Sequence, residues 1–300
     1  MFSASAKYAG VLILVVLAAV AAFLLIQGWP AISTPSAELA RRVGFLDDQS
    51  VFAYVGPLVF GTVLAALIAL VIATPVAIGV ALFISHYAPR RVASTLGYVV
   101  DLLAAIPSVV YGLWGGLWLM PRIYPFTEWL SNTFGWIPLF EGPAANPART
   151  ILTAGVVLAV MVLPIITAVS REIFLQTPTL HEEAALALGA TRWEMIRTAV
   201  LPFARSGIVS ATMLGLGRAL GETMAVAMVL SPGLLYSIFI LKPGQQQNIA
   251  ANIALEFPEA SGLGVNVLIF TGLVLFVITL LVNMFARWIV SRRAEFSGAN

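Results

Sequence analysis

Arg218 and Glu222 lie in the stretch GLGRALGETMAV, inside an apolar run of residues 206–230. Counting from Arg205, Arg218 is 13 residues along the run. That is about 20 Å on a helix rising ~1.5 Å per residue, near the middle of a bilayer. A charge at that depth costs about 2.5 to 3.5 kcal/mol. At i, i+4 the two side chains can pair, but Arg before Glu is the weaker order, contributing at most about 0.5 kcal/mol. The pair must therefore face a bundle interior or an aqueous path. On a continuous helix Ala211, Gly215, Arg218, Gly221, Glu222 and Ala225 would share one small, polar face. Two readings fit, a buried ion pair that sets helix register or an anion-path or gate element. A guanidinium offers paired donors to oxyanions.

Other polar groups lie near apolar sequence. Asp101 sits one to two turns inside a run of residues 96–120, and either pairs with Arg218 or caps a helix end. Ser108 and Tyr111 flank Pro107 in the same run, and either line a path or bond a neighbouring carbonyl. His86 and His181 read as surface histidines, with no partners at metal-ligand spacing.

The longest charge-rich stretch is residues 171–205, REIFLQTPTLHEEAALALGATRWEMIRTAVLPFAR. Thr179 and Glu182 have capping-box spacing, and so do Thr191 and Glu194. Strong helix formers follow Glu183, and Gly189 stands where a C-terminal stop belongs. Leu201-Pro202 is expected to end the second helix. This island is thus predicted to be two short helices joined at Gly189. Ala184, Ala185 and Ala187 give the first of them a low-profile surface that a partner's backbone can approach.

The elements that position these residues follow from composition. The chain has 300 residues, 60% hydrophobic and only 10% charged. Soluble domains carry about 25% charged residues, so this is an all-α integral membrane protein. Six apolar runs, residues 8–27, 57–85, 96–120, 150–170, 206–230 and 264–285, approach or exceed the ~20 residues a bilayer requires. The first is longer than a signal-peptide core and reads as a retained span. The second is expected to tilt or project, with a kink at Pro75, and the third to break at Pro107. Gly112 and Gly116 have the spacing of close helix contacts. Residues 121–149 read as a loop whose Trp129 and Trp136 suit a membrane interface. Residues 1–56 are read as an N-terminal span plus outer loop, 57–288 as the main membrane domain and 289–300 as a tail.

With six spans, both termini and the island share one side. That side holds ten Lys and Arg residues against five on the other, which places it in the cytoplasm. The absence of cysteine excludes disulfides and thiol chemistry. Two lysines are too few for a nucleic-acid binder. There is no G-x-x-x-x-G-K-[ST], H-E-x-x-H or G-x-S-x-G. These absences weigh against an ATPase and against an intramembrane hydrolase. An ion-coupled secondary transporter would carry internal repeats, and none is evident.

EAALALG (residues 183–189), followed after the proper interval by Leu201-Pro202, resembles the EAA loop of bacterial ABC-importer permeases. The one departure is Ala199, where that pattern has isoleucine. DLLAAIPSVVYGLWG, LPIITAVSREIF and GLGRALGETMAV resemble the PstC-type permeases of phosphate importers, with PstA-type subunits the nearest alternative. The resemblance implies a type I importer permease fold of six transmembrane helices in a bacterial inner membrane. It implies that Glu183, Ala184, Ala185, Gly189, Leu201 and Pro202 couple to a PstB-type ATPase dimer, which uses Mg-ATP. The chain itself would bind no cofactor or metal and would not be an enzyme. Further implied partners are a PstA-type subunit, a PstS-type phosphate-binding protein and membrane lipid. Arg218 and Glu222 would serve phosphate transport, since a carboxylate can accept the hydrogen of protonated phosphate, which sulfate lacks at neutral pH.

Overall fold

The computed structural model describes the backbone of residues 2–294 and the side chains of residues 7–288. Among the described residues every regular element is helical. In order these are α1 (Phe2–Ser33), α2 (Ser36–Arg42), α3 (Val51–Leu82), α4 (Arg90–Ala104), α5 (Ser108–Trp114), α6 (Met120–Phe134), α7 (Ile151–Leu175), α8 (Thr179–Ala187), α9 (Arg192–Met195), α10 (Leu201–Leu220), α11 (Met224–Val229), α12 (Ile249–Glu256) and α13 (Leu263–Ala294). One-turn π segments follow α3 (Phe83–Tyr87), α5 (Gly115–Leu119) and α9 (Ile196–Val200).

α3 and α7 form the central pair. Ala65, Ala69, Ala73, Ala77 and Ala81 recur every four residues along α3 and are all buried. This stripe lets the larger side chains of α7, among them Val157, Met161 and Val162, close against it in one cluster. α10 packs on another side of α7, with Gly215 against Ile166 and Val162. α1 lies along α13, and none of its apolar window is buried within the chain. A helix apolar all round whose surface the rest of the chain leaves largely uncovered is suited to lipid.

Five helical stretches are long and apolar enough to cross a membrane, and the bent pair α4 with α5–α6 makes six if taken as one crossing. That pair turns through 92° at the break expected at Pro107. Proline disfavours helical geometry in Ile106 and supplies no N–H, so α4 ends and Pro107 becomes the entry to α5. The Tyr111 hydroxyl spans the corner, donating to the Leu103 carbonyl at 2.9 Å.

Three expectations are corrected. Residues 121–134 are not loop, because α6 starts at Met120 with Pro121 in its first turn, where a missing N–H leaves no bond unmade. Close approach falls on Gly112 and Gly115 rather than Gly116. A Cβ on Gly112 would stand 2.9 Å from the Ala225 Cα, and one on Gly115 2.6 Å from Val157 Cγ2. Pro202 does not end the island. The Leu201 N–H reaches back five residues to the Ile196 carbonyl, and this widened turn admits the proline, so α9 runs through into α10.

Candidate anion path and coupling element

The fifth span is broken where its charges lie. α10 stops at Leu220, Gly221 ends it, and α11 begins at Met224. The expected Arg218–Glu222 pair does not form, because i, i+4 proximity needs a continuous helix. Arg218 lies in the last turn of α10, half-buried, within electrostatic reach of Tyr111. Among the described residues it makes no hydrogen bond or ion pair. Glu222 is 7% exposed, and its Oε1 accepts from the Ala225 N–H at 3.1 Å, capping α11. The cation thus sits at a helix C-terminus and the anion at a helix N-terminus, where each is favoured.

Asp101 is placed elsewhere. Its Oδ2 is 3.9 Å from Nη2 of Arg171, which also meets Glu172 at 2.7 Å. It pairs neither with Arg218 nor as a helix cap. Asp101, Arg171, Arg90, Ser94 and Tyr98 line an open cavity of about 590 Å3 at the island end of the bundle. Ser108 opens α5 partly buried, and the Tyr111 hydroxyl is committed to its carbonyl bond.

Sequence reasoning missed a polar segment that closes over the break from the opposite end. Gln246, Gln247, Asn248 and Asn252 are all buried, although QQQN reads as an ordinary loop. Asn248 Nδ2 donates to the Glu222 carbonyl at 2.7 Å, and its Oδ1 caps α12 by accepting from the Ala251 N–H at 3.0 Å. The Ile249 N–H donates to Thr62 Oγ1 of α3 at 2.9 Å. The Tyr54 hydroxyl donates to Asn252 Oδ1 at 2.9 Å. A Cβ on Gly61 would stand 2.2 Å from the Gln247 carbonyl oxygen, so this glycine admits the segment. The available signal was four consecutive amide side chains between apolar stretches, a run that needs buried partners if it enters the bundle.

The island has the expected joint. Gly189 adopts φ +86°. Its N–H donates to Leu186 O at 2.9 Å and that of Ala190 to Ala185 O at 3.2 Å, the paired bonds of a Schellman end. Thr191 and Glu194 form the predicted capping box. The Glu194 carboxyl is held below its usual range by accepting from the Thr191 N–H and hydroxyl. Thr179 and Glu182 form no such box; Pro178 precedes α8 without a side-chain cap, and Glu182 turns to His86. His86 is therefore not a surface residue, its side chain being 8% exposed. Glu183, Ala184 and Gly189 are exposed and Ala185 partly buried, with Leu180 and Leu188 also open to solvent. Leu201 and Pro202 sit where the island enters α10.

A bundle with a broken, charged span and an exposed helical island on one end defines a class of multi-pass transport subunits. Residues 73–295 match the family described as the binding-protein-dependent transport system inner membrane component. The chain is 44% identical over 301 residues to the phosphate transport system permease protein PstC 2 of Mycobacterium tuberculosis, covering 98% of this chain and 92% of that protein. It is 34% identical to the PstC protein of Haemophilus influenzae, covering 99% and 95%. A chain of the inward-facing MetNI methionine ABC transporter superposes with a TM-score of 0.54 at 19% identity, over 80% of this chain and 94% of that one. This likeness is one of fold. The protein belongs to the inner-membrane permeases of binding-protein-dependent transport systems, among the PstC permeases.

Proposed function

We propose that this chain is the permease subunit of an ATP-driven phosphate importer of a bacterial inner membrane, with island and termini in the cytoplasm. It lines the path together with a homologous PstA-type subunit. α8 docks on a PstB-type ATPase dimer that hydrolyses Mg-ATP, and a PstS-type protein delivers phosphate to the opposite face. The chain itself binds no cofactor and catalyses no reaction. The ten-to-five distribution of Lys and Arg supports the orientation, and the names of the PstC relatives support the substrate.

The observation that carries the reading is Arg218, a half-buried arginine in a membrane helix that makes no hydrogen bond or ion pair among the described residues. An insertion cost of about 2.5 to 3.5 kcal/mol calls for an anion, and none of the described residues is paired with this arginine. Phosphate oxygens suit the guanidinium fork. Glu222 Oε1 is engaged as a cap, which leaves Oε2 to accept a phosphate hydroxyl. Because α9 passes through the π turn into α10, a displacement of the island is transmitted along one continuous helix to Arg218.

The experiment is purification of the chain in mild detergent, followed by reconstitution with what accompanies it. An ATPase and a second permease are expected to co-purify, and Arg218→Ala to abolish phosphate uptake with that assembly intact. Wild-type uptake by Arg218→Ala would reduce the arginine to a structural role. Isolation of the chain alone, with ion-driven uptake, would overturn the class.

A further inference from the structure

The contact between His86 and Glu182 joins two parts of the molecule that little else connects. His86 lies in the π turn that closes α3. Its ring stands edge-on to the buried Phe174 of α7, centroids 6.5 Å apart. Nδ1 is 2.7 Å from Ser85 Oγ, and Nε2 is 3.4 Å from Glu182 Oε1 on α8. Among the described residues this is the only side-chain hydrogen bond or ion pair linking α8 to another element. No side chain of α8 is buried, and only Ala185 packs partly into the adjoining apolar cluster.

The hydrogens around the ring can be counted. Ser85 Oγ lies 2.8 Å from the Ala81 carbonyl oxygen, which has no hydrogen to give, so the single serine hydrogen points there. Nδ1 must then donate to Ser85 Oγ. A neutral imidazole has only one N–H, and Nε2 would meet the carboxylate with a lone pair. The contact is attractive when both nitrogens carry hydrogen, and it is then charge-assisted. Of the elements packed here, α8 contributes Glu182 and α7 the apolar Phe174. Arg171 of α7, with Arg90 and Asp101 of α4, lines the cavity that also reaches Ser85.

We propose that His86 is a positioning residue that, as an imidazolium, fastens α8 to the end of α3, so that α8 moves the bundle when the ATPase moves α8. The inference rests on α8 being the coupling helix. Loss of the proton from His86 releases α8, and coupling weakens as pH rises on the island side.

The test uses the assembled transporter in proteoliposomes, with phosphate taken up per ATP hydrolysed measured between about pH 5.5 and 8.5 on the island side. In the wild type the ratio falls as pH rises. His86→Ala retains its ATPase, and at low pH its ratio drops at least about five-fold. In Glu182→Gln the amide can donate to neutral Nε2 or accept from the protonated form, so the ratio stays high and loses its pH slope. A His86→Ala ratio equal to wild type, or a wild-type slope in Glu182→Gln, overturns the proposal. If His86→Ala fails to assemble, the Glu182→Gln profile decides. Absence of the ATPase from the wild-type preparation would overturn the coupling reading instead.

Discussion

α8 and the segment from Gln246 to Asn252 are both polar stretches set against apolar helices, and they are held in opposite ways. α8 is largely exposed, closed by a local glycine turn, and tied to the bundle among the described residues by one side-chain hydrogen bond, to His86, and by the partial packing of Ala185. The other segment is buried, and its bonds reach partners far away in sequence, 26 residues from Asn248 to Glu222 and 198 from Asn252 to Tyr54. An element satisfied by its own neighbours can shift as a unit without leaving donors or acceptors unmet. One whose buried bonds end on other helices cannot. One end of the bundle is thus built to move, and the other to stay closed over the break that holds Glu222.

Replacing Asn248 should break this contrast hardest. Asn248→Ala removes the donor to the Glu222 carbonyl and the cap on α12, both buried, at a cost of about 2 to 4 kcal/mol. A lowered thermal midpoint and lost phosphate uptake are the expected outcome. Asn248→Asp keeps the cap acceptor but turns a carboxylate oxygen toward the Glu222 carbonyl in a buried site, so it should cost at least as much. If both variants unfold and transport as the wild type does, the segment is not fixed by these bonds.

A smaller effect is expected from two glycines on α3. Gly61→Ala places a Cβ against the Gln247 carbonyl and must displace the segment, costing about 1 to 3 kcal/mol. Gly79→Ala meets nothing within 4 Å and should stabilise the same helix by about 0.5 to 1 kcal/mol. Thermal unfolding of the two variants side by side separates intrusion by the segment from helix propensity. Equal midpoints would mean that the segment yields readily at Gly61.

The parts legible from sequence are those governed by near neighbours. The apolar runs gave the spans, Gly189 and the Thr191 box gave the island its joint, and Pro107 marked a break. What was not legible depends on distant partners. The turn of 92° at Pro107 is completed by α4 docking on α7. The interruption after Leu220 is held by Asn248, and no local pattern sets that pairing. His86 looked like a surface residue because its partners, Phe174 and Glu182, are 88 and 96 residues away. Arg218 and Glu222 were both found, but as a pair. The structure instead gives each a helix end, and the cation no hydrogen bond or ion pair among the described residues.

The two threonines of the island provide the finest test of local against distant control. Thr191 accepts from the Glu194 N–H and completes a capping box, so Thr191→Ala should cost the second island helix about 1 kcal/mol. Thr179 has the same spacing to Glu182 but caps nothing, since it is the first residue of α8 with Pro178 at the cap position, and that carboxylate faces His86. Thr179→Ala should leave α8 unchanged. Hydrogen exchange of the island amides reads both, with faster exchange after residue 191 in the first variant and none in the second. Equal losses would mean that Glu182 alternates between the helix start and His86. The contact to α3 would then compete with a local box, and α8 would be held less by its distant partner than this geometry indicates.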